Sequence, residues 1–363
     1  WSFSNANRID IVKSAYRYAL DLERKGELNL DLDKGEHIQL AIQKVIELNN
    51  ASWISADNAT DLVYEMMTLN ISVDVMTELY RLATRRVGGD RMYYMLFLNS
   101  MLGHIKIRNL KGENIQITEA NYESVFSEYE ALYNKAEDLA GFWGSTYAPF
   151  MFAYSLLKGG DFEENIARGK QVAEIISDVG ISQKIAGAIL LVTLSTKIDE
   201  DLAKVRTLAE NSKAIYRRTA NDEGGAILLA EIMGREGSSV ERMKAETNFM
   251  WNEIRIANEK TIGEAIYLSR RIPFTLGETR LAMNELDDRV YRTTSIEAQD
   301  VIDLLEILRL RRKLLGAGGD SQDPDGENTE ATKDDAIELV EELIEETTDT
   351  ILMTVILITV INS

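Results

Sequence analysis

The pentapeptide Gly187-Ala188-Ile189-Leu190-Leu191 returns 38 residues later as Gly225-Ala226-Ile227-Leu228-Leu229. A looser echo, Gly263-Glu264-Ala265-Ile266-Tyr267-Leu268, follows at nearly the same interval. Self-similarity at such a period constrains the fold more than any other feature of the chain. It marks a solenoid-like stack, in which each unit buries its apolar face against the next. The spacing predicts five helix-pair units over residues 122–316, namely 123–161, 162–199, 200–237, 238–277 and 278–316.

Each unit reads as a polar-faced helix, a break, a more apolar helix and a tight loop. In the second unit Ile166, Val172, Ile175 and Ile176 form an apolar stripe, with Glu163, Glu164, Lys170 and Glu174 off it. The partner helix, 181–194, is apolar nearly all round, the pattern of a buried helix. Its Ala186, Gly187 and Ala188 permit close approach of a neighbour. Lys158-Gly159-Gly160-Asp161 and Gly234-Arg235-Glu236-Gly237 punctuate the units, and Ser182, Ser238 and Ser295 stand where N-caps are expected. Pro273 falls in a loop, where its missing N–H does no harm.

Residues 1–103 read as a separate helical domain. Helices are expected over 7–25, 35–49, 57–69 and 72–86. The run 90–102, with Met92, Tyr93, Tyr94, Met95, Leu96, Phe97, Leu98 and Met101, reads as a buried helix, since such residues belong to cores. The period then changes. His104-Ile105-Lys106-Ile107-Arg108 and Asn114-Ile115-Gln116-Ile117-Thr118 both alternate around a glycine-containing loop, which predicts a β-hairpin connector over 104–121. A lone hairpin needs a helix or a second chain to pack on.

Beyond the array, residues 317–335 have the acidic, glycine-rich composition of a mobile linker. Asp323-Pro324-Asp325-Gly326 superficially suggests a calcium loop. Ser321 and Thr332 then occupy the positions that need carboxylates, so the reading fails. An acidic amphipathic helix follows, and residues 336–363 end in a run that includes Ile351, Leu352, Val355, Ile356 and Ile358. That run is too short to span a bilayer and lacks flanking lysine or arginine. It is expected to dock on an apolar surface of its own chain or of a second copy, which in the latter case makes a homo-oligomer.

The expected fold class is therefore all-α: solenoid-like helix pairs, one small β-hairpin and a C-terminal tail on a flexible linker. The chain has 363 residues, no cysteine and two histidines, His37 and His104. Disulfides, thiolate metal sites and cysteine nucleophiles are excluded, and no cofactor or metal is expected. His104 reads as a structural or exposed residue. The net charge of −20 disfavours nucleic acid unless a local basic groove exists. Trp1-Ser2-Phe3-Ser4-Asn5 lacks the charged and apolar regions of a secretory signal. With no initiator Met, the start is read as processed or trimmed, and a cytoplasmic location is expected.

No phosphate loop, dinucleotide fingerprint, zinc spacing or nucleophile elbow occurs. The candidates for protein contact are of three kinds. Phe142-Trp143-Gly144-Ser145-Thr146-Tyr147-Ala148-Pro149-Phe150 reads as an aromatic loop between helices; Trp143 and Tyr147 serve either to cap the first unit or to meet a partner. Arg217 and Arg218, with Tyr216, form one basic patch. Arg309, Arg311 and Arg312, with Lys313, form another, which reads as helix-end charge complementing the dipole or as a contact with the acidic 341–346 stretch. The apolar tail is the third.

The helix-pair layout resembles an uncharacterised bacterial helical-repeat family, a domain of unknown function. The residues that carry the likeness are Tyr133-Asn134-Lys135 through Gly141-Phe142-Trp143-Gly144-Ser145-Thr146-Tyr147, where a helix ends in a glycine-aromatic turn, and the apolar 350–361 end. The likeness covers 122–363 and implies no catalytic residue. The sequence thus favours a non-enzymatic scaffold that binds protein partners or itself. The alternatives are a self-assembling capsid or nucleoprotein subunit that exchanges its hairpin or tail, and a helical enzyme with an unsigned carboxylate site.

Overall fold

A computed structural model of the chain describes residues 5–51, 54–140, 144–180, 183–216, 223–254 and the single positions 307, 310 and 314. Among the described residues there are twelve α-helices, one π-helical turn and no strand. The helices are α1 Asn5–Arg24, α2 Glu36–Ala51, α3 Ala56–Thr68, α4 Val73–Leu82, α5 Arg91–Leu110, α6 Tyr122–Ala140, α7 Gly144–Lys158, α8 Phe162–Asp178, α9 Gln183–Ser195, α10 Leu202–Tyr216, α11 Glu223–Glu236 and α12 Val240–Ile254. The π turn is Ala83–Val87. No described helix is long and apolar enough to cross a membrane. Contacts divide the chain into two units. Of the described residues, one holds those up to 80 and 102–122; the other holds 81–101 and those from 123 to 254.

In the first unit α1, α2 and α3 pack on one another. α2 buries His37, Ala41, Val45 and Leu48, one face at helical spacing. The Ser55 hydroxyl accepts from Asn58 N at 3.2 Å and starts α3, and Ser72 does the same for α4 through Val75 N. Asn58 Nδ2 donates to the Tyr80 hydroxyl at 2.7 Å and ties α3 to α4.

The hairpin expected over 104–118 is not formed. α5 continues to Leu110, so its first predicted strand is helix. Ile105 and Ile107 alternate within their own short window. Leu98, Met101, Leu102 and Ile105, all buried, follow helical spacing across a longer one. Gly112, at φ 92°, turns the chain after the helix. The Asn109 side chain then accepts from Ile115 N and donates to Ile115 O, pairing that backbone without a strand partner.

In the second unit the aromatic core forms around Phe97 of α5. Its ring stacks on Phe152 of α7 at 5.0 Å and lies within 5.6 Å of Phe126 and Tyr133 on α6. α6 buries Phe126, Tyr129, Tyr133 and Ala136. The expected aromatic loop 142–150 is largely helix: residues 144–150 are the first turns of α7, with Pro149 inside it. The proline forgoes one helical hydrogen bond, while Tyr147, Phe150, Phe152 and Tyr154 are all buried along the same helix.

α6 to α11 occupy residues 122–236, where six helices are expected, and α12 lies at 240–254. α7 packs on α8 and α9, α8 on α9 and α10, α9 on α11, and α10 on α11. α8 buries only Asn165, Ile166, Gly169, Val172, Ala173 and Ile176. α10 likewise buries Val205, Leu208, Ala209, Ser212 and Ile215. α9 is buried continuously over 186–193, and α11 over 226–233. Asp161, after Gly159 and Gly160 in the left-handed region, caps α8 through Glu164 N at 2.9 Å. The oxygen that caps α12 belongs to Ser239, not to the expected Ser238. Ser182, Pro273, Ser295, the fifth unit apart from Ile307, Leu310 and Leu314, the linker and the tail lie outside the described residues.

Two interior glycines make a prediction. A Cβ at Gly187 would stand 2.5 Å from the buried Phe150 ring, whereas at Gly169 the nearest atoms, at 2.9 and 3.0 Å, are the mobile end of Met151. Overpacking a fixed ring costs about 1–3 kcal/mol, against roughly 1 kcal/mol gained when alanine replaces a helical glycine. Gly187→Ala is expected to lower the urea midpoint. Gly169→Ala should lower it less, because a methionine end can move aside and the Tyr154 ring, 3.2 Å away, needs to give by only a few tenths of an ångström.

Candidate functional site

A charge placed in a helical core has to be paired, and two places in the chain solve this with the same three residue types. In the first unit the trio comes from three helices. Tyr64 on α3 donates from its hydroxyl to Asp21 Oδ2 on α1 at 2.7 Å. Lys106 on α5 donates to the same oxygen at 3.0 Å and also meets the Tyr64 hydroxyl. The ammonium lies 4.5 Å from the Tyr64 ring centroid. The Lys106 and Asp21 side chains are only 9% and 13% exposed. Burial and the Asp21 charge hold the Tyr64 hydroxyl well above its ordinary pKa.

In the second unit Tyr154 on α7 donates to Asp199 Oδ2 at 2.7 Å. Lys158, one turn later, pairs with that same oxygen and with Glu200. Arg168 on α8 donates from Nε to the Asp199 carbonyl at 2.8 Å. Burial lowers the pKa of Lys158, but hydrogen bonds to Asp199 and Glu200 more than compensate and raise it. Burial, then the Asp199 hydrogen bond, raises that of Tyr154. The bend between α9 and α10 is thereby tied to the end of α7. Asn165 adds to this junction by donating to the carbonyls of Ser155 and Gly159 at 3.1 and 2.6 Å.

Chemically both trios are closed. Each aspartate accepts from a tyrosine and a lysine, and each tyrosine keeps its proton near neutral pH. Their groups bind one another and fix helix junctions. A third tie starts at the π turn. Arg86 reaches Glu123 at 3.1 Å, Glu130 at 3.0 Å and Ser127 at 3.4 Å, one stripe along α6, with its guanidinium 5.9 Å from the Phe126 centroid. Among the described residues no group of three or more His, Asp or Glu side chains is placed to hold a metal ion.

The histidines are structural in position. His37 is fully buried and edge-on to Tyr16 at 4.7 Å, with both ring nitrogens lacking a hydrogen-bond partner among the described residues; burial lowers its pKa. His104, half-buried on α5, is pushed down to about 4 by burial and by the charges of Arg108 and Lys111.

Of the contact candidates, Tyr147 is 1% exposed, its ring 6.2 Å from that of Phe150, so it belongs to the core rather than to an exposed loop. Tyr216, beside the first basic patch, is 47% exposed at the end of α10. Trp143, Arg217, Arg218, Arg309, Arg311, Arg312, Ile351, Leu352, Val355, Ile356 and Ile358 lie outside the described residues. Sequence reasoning missed both trios. Lys106, between Ile105 and Ile107 in an apolar run, carried a readable signal; Asp199 carried none. Compared with protein-family models, curated proteins and solved structures, the chain matches none.

The first trio sets a stability test. Lys106→Met strands the Asp21 carboxylate and is expected to cost about 3 kcal/mol in chemical denaturation, the scale for breaking a buried pair. Adding Asp21→Asn should recover much of that loss. A double variant as unstable as the sum of the singles would show that the pair is not the unit of stability.

Proposed function

We propose that the chain is a non-enzymatic helical scaffold that binds protein partners or itself. The observation that carries this reading is the alternation along α7 to α11. α7, α9 and α11 are buried over long continuous runs, whereas α8 and α10 bury one stripe and leave the rest to solvent. Successive helices of each kind touch: α7 meets α9, α9 meets α11, and α8 meets α10. Such an order is what stacked helix pairs require, since an apolar helix cannot be buried within its own pair alone. The chemistry-bearing groups of both trios are consumed in holding junctions. That supports a role in presenting surface rather than in transforming a substrate.

In this reading the five-unit array spans 122–316. Arg217, Arg218, Arg309, Arg311 and Arg312 are contact residues, and the run through Ile351, Leu352, Val355, Ile356 and Ile358 docks on an apolar groove in its own chain or a neighbour. The absence of cysteine is compatible with a cytoplasmic protein.

The test is size-exclusion chromatography with light scattering on the full chain and on a chain lacking 349–363. A discrete monomer or dimer is expected for the full chain. Truncation should change its mass distribution or lower its melting temperature, because several apolar side chains at roughly 1.5–3 kcal/mol each lose their burial. A large closed or helical particle would replace the scaffold by a capsid- or nucleoprotein-like assembly, and co-purifying nucleic acid would single out the latter.

A further inference from the structure

Beside the first trio stands a carboxyl group that takes no part in it. Glu65 follows Tyr64 on α3 and is 7% exposed. Its Oε2 is buried and has no hydrogen-bond partner among the described residues. The cation nearest in role, Lys106, is already engaged with Asp21 and Tyr64. From this arrangement we propose that Glu65 is a proton-dependent latch. Protonated, it lets α1, α3 and the C-terminal part of α5 pack as described. Ionised, it competes with Asp21 for Lys106 or turns toward solvent, and the packing of that unit loosens.

α1 supplies Arg17, whose charge favours the ionised form, as does that of Lys106 from α5; Asp61 on α3 opposes it. α1 also supplies Asp21, the rival carboxylate for Lys106. α2, which packs on α3, carries Glu36, His37, Lys44 and Glu47, and α4, tied through Tyr80, carries Asp74, Glu78 and Arg81; none of these is among the largest influences on Glu65. Burial is the largest influence, ahead of the Glu65 backbone amide and the two cations, and pushes Glu65 up to about 7 from an ordinary 4.5. Its folded value therefore lies above its unfolded one. The stability it contributes is complete below about 4.5 and is lost as pH rises through about 7. His37 works with the opposite sign: its folded pKa is depressed below 6.5, so its contribution is present above that value and lost as pH falls.

The experiment is amide hydrogen exchange, followed by mass spectrometry on the full chain from pH 5 to 8 and corrected for intrinsic exchange. Wild type is compared with Glu65→Gln, which keeps the shape and cannot ionise. The His37 contribution is common to both and cancels. Relative to the variant, wild-type opening of α1 and α3 should rise roughly seventyfold across this range, the ratio set by linkage between values near 4.5 and 7. α8 and α9 in the other unit should show no such difference. Parallel curves for wild type and Glu65→Gln would overturn the proposal. Should the variant fail to fold, the wild-type Glu65 carboxyl can be followed by carbon NMR. A titration centred near 7 supports the latch, and one near 4.5 overturns it.

Discussion

Helices without a polar face dominate the second unit, and such helices must be surrounded on every side. α7 is buried from Tyr147 to Leu157, α9 from Ala186 to Thr193 and α11 from Ala226 to Met233. Water cannot cover them, so α8 and α10 must lie against them, and each needs only one apolar stripe to do so. Close approach then decides where small residues go. Gly187 sits against the face of Phe150, and Gly169 against Met151 and Tyr154. The junctions are subordinate to this packing. Asn165 satisfies carbonyls at the end of α7, and Lys213 donates to Val179 O at 2.6 Å near the end of α8, so the helix termini are not left with stranded groups.

The helical class and most of the helix positions were readable because burial here follows the helical period. The stripes of α8 and α10 and the runs of α9 and α11 are visible in the sequence, as is the Gly159-Gly160-Asp161 punctuation. Two local patterns misled. Ile105 and Ile107 imitate a strand within five residues, and only the longer series Leu98, Met101, Leu102 and Ile105 reveals the helix. Gly144, Pro149 and the aromatics between them imitate a turn. Burying those aromatics in the core outweighs the hydrogen bond that Pro149 cannot make. The π turn at Ala83–Val87 has no sequence signature, although it places Arg86 along α6.

The polar clusters were legible only in part. A lysine inside an apolar helix announces that a carboxylate lies nearby, and Lys106 does so. Which carboxylate answers is a matter of tertiary placement: Asp21 belongs to another helix far along the chain, and Asp199 to a bend between two helices. The same limit hides Glu65, whose sequence neighbours are those of an ordinary amphipathic helix. Its distinction comes from burial and from the prior engagement of Lys106.

The enclosure of the two lysine–aspartate–tyrosine trios bears on how the molecule responds to its ionic medium. A chain with a net charge of −20 repels itself over its surface, and mobile ions relieve that repulsion within a screening length of about 8 Å at physiological ionic strength. Lys106–Asp21 and Lys158–Asp199 are shielded from those ions by the side chains around them. Added salt therefore acts mainly on the outer charges, the exposed Arg86–Glu123 pair among them, and spares the inner ties.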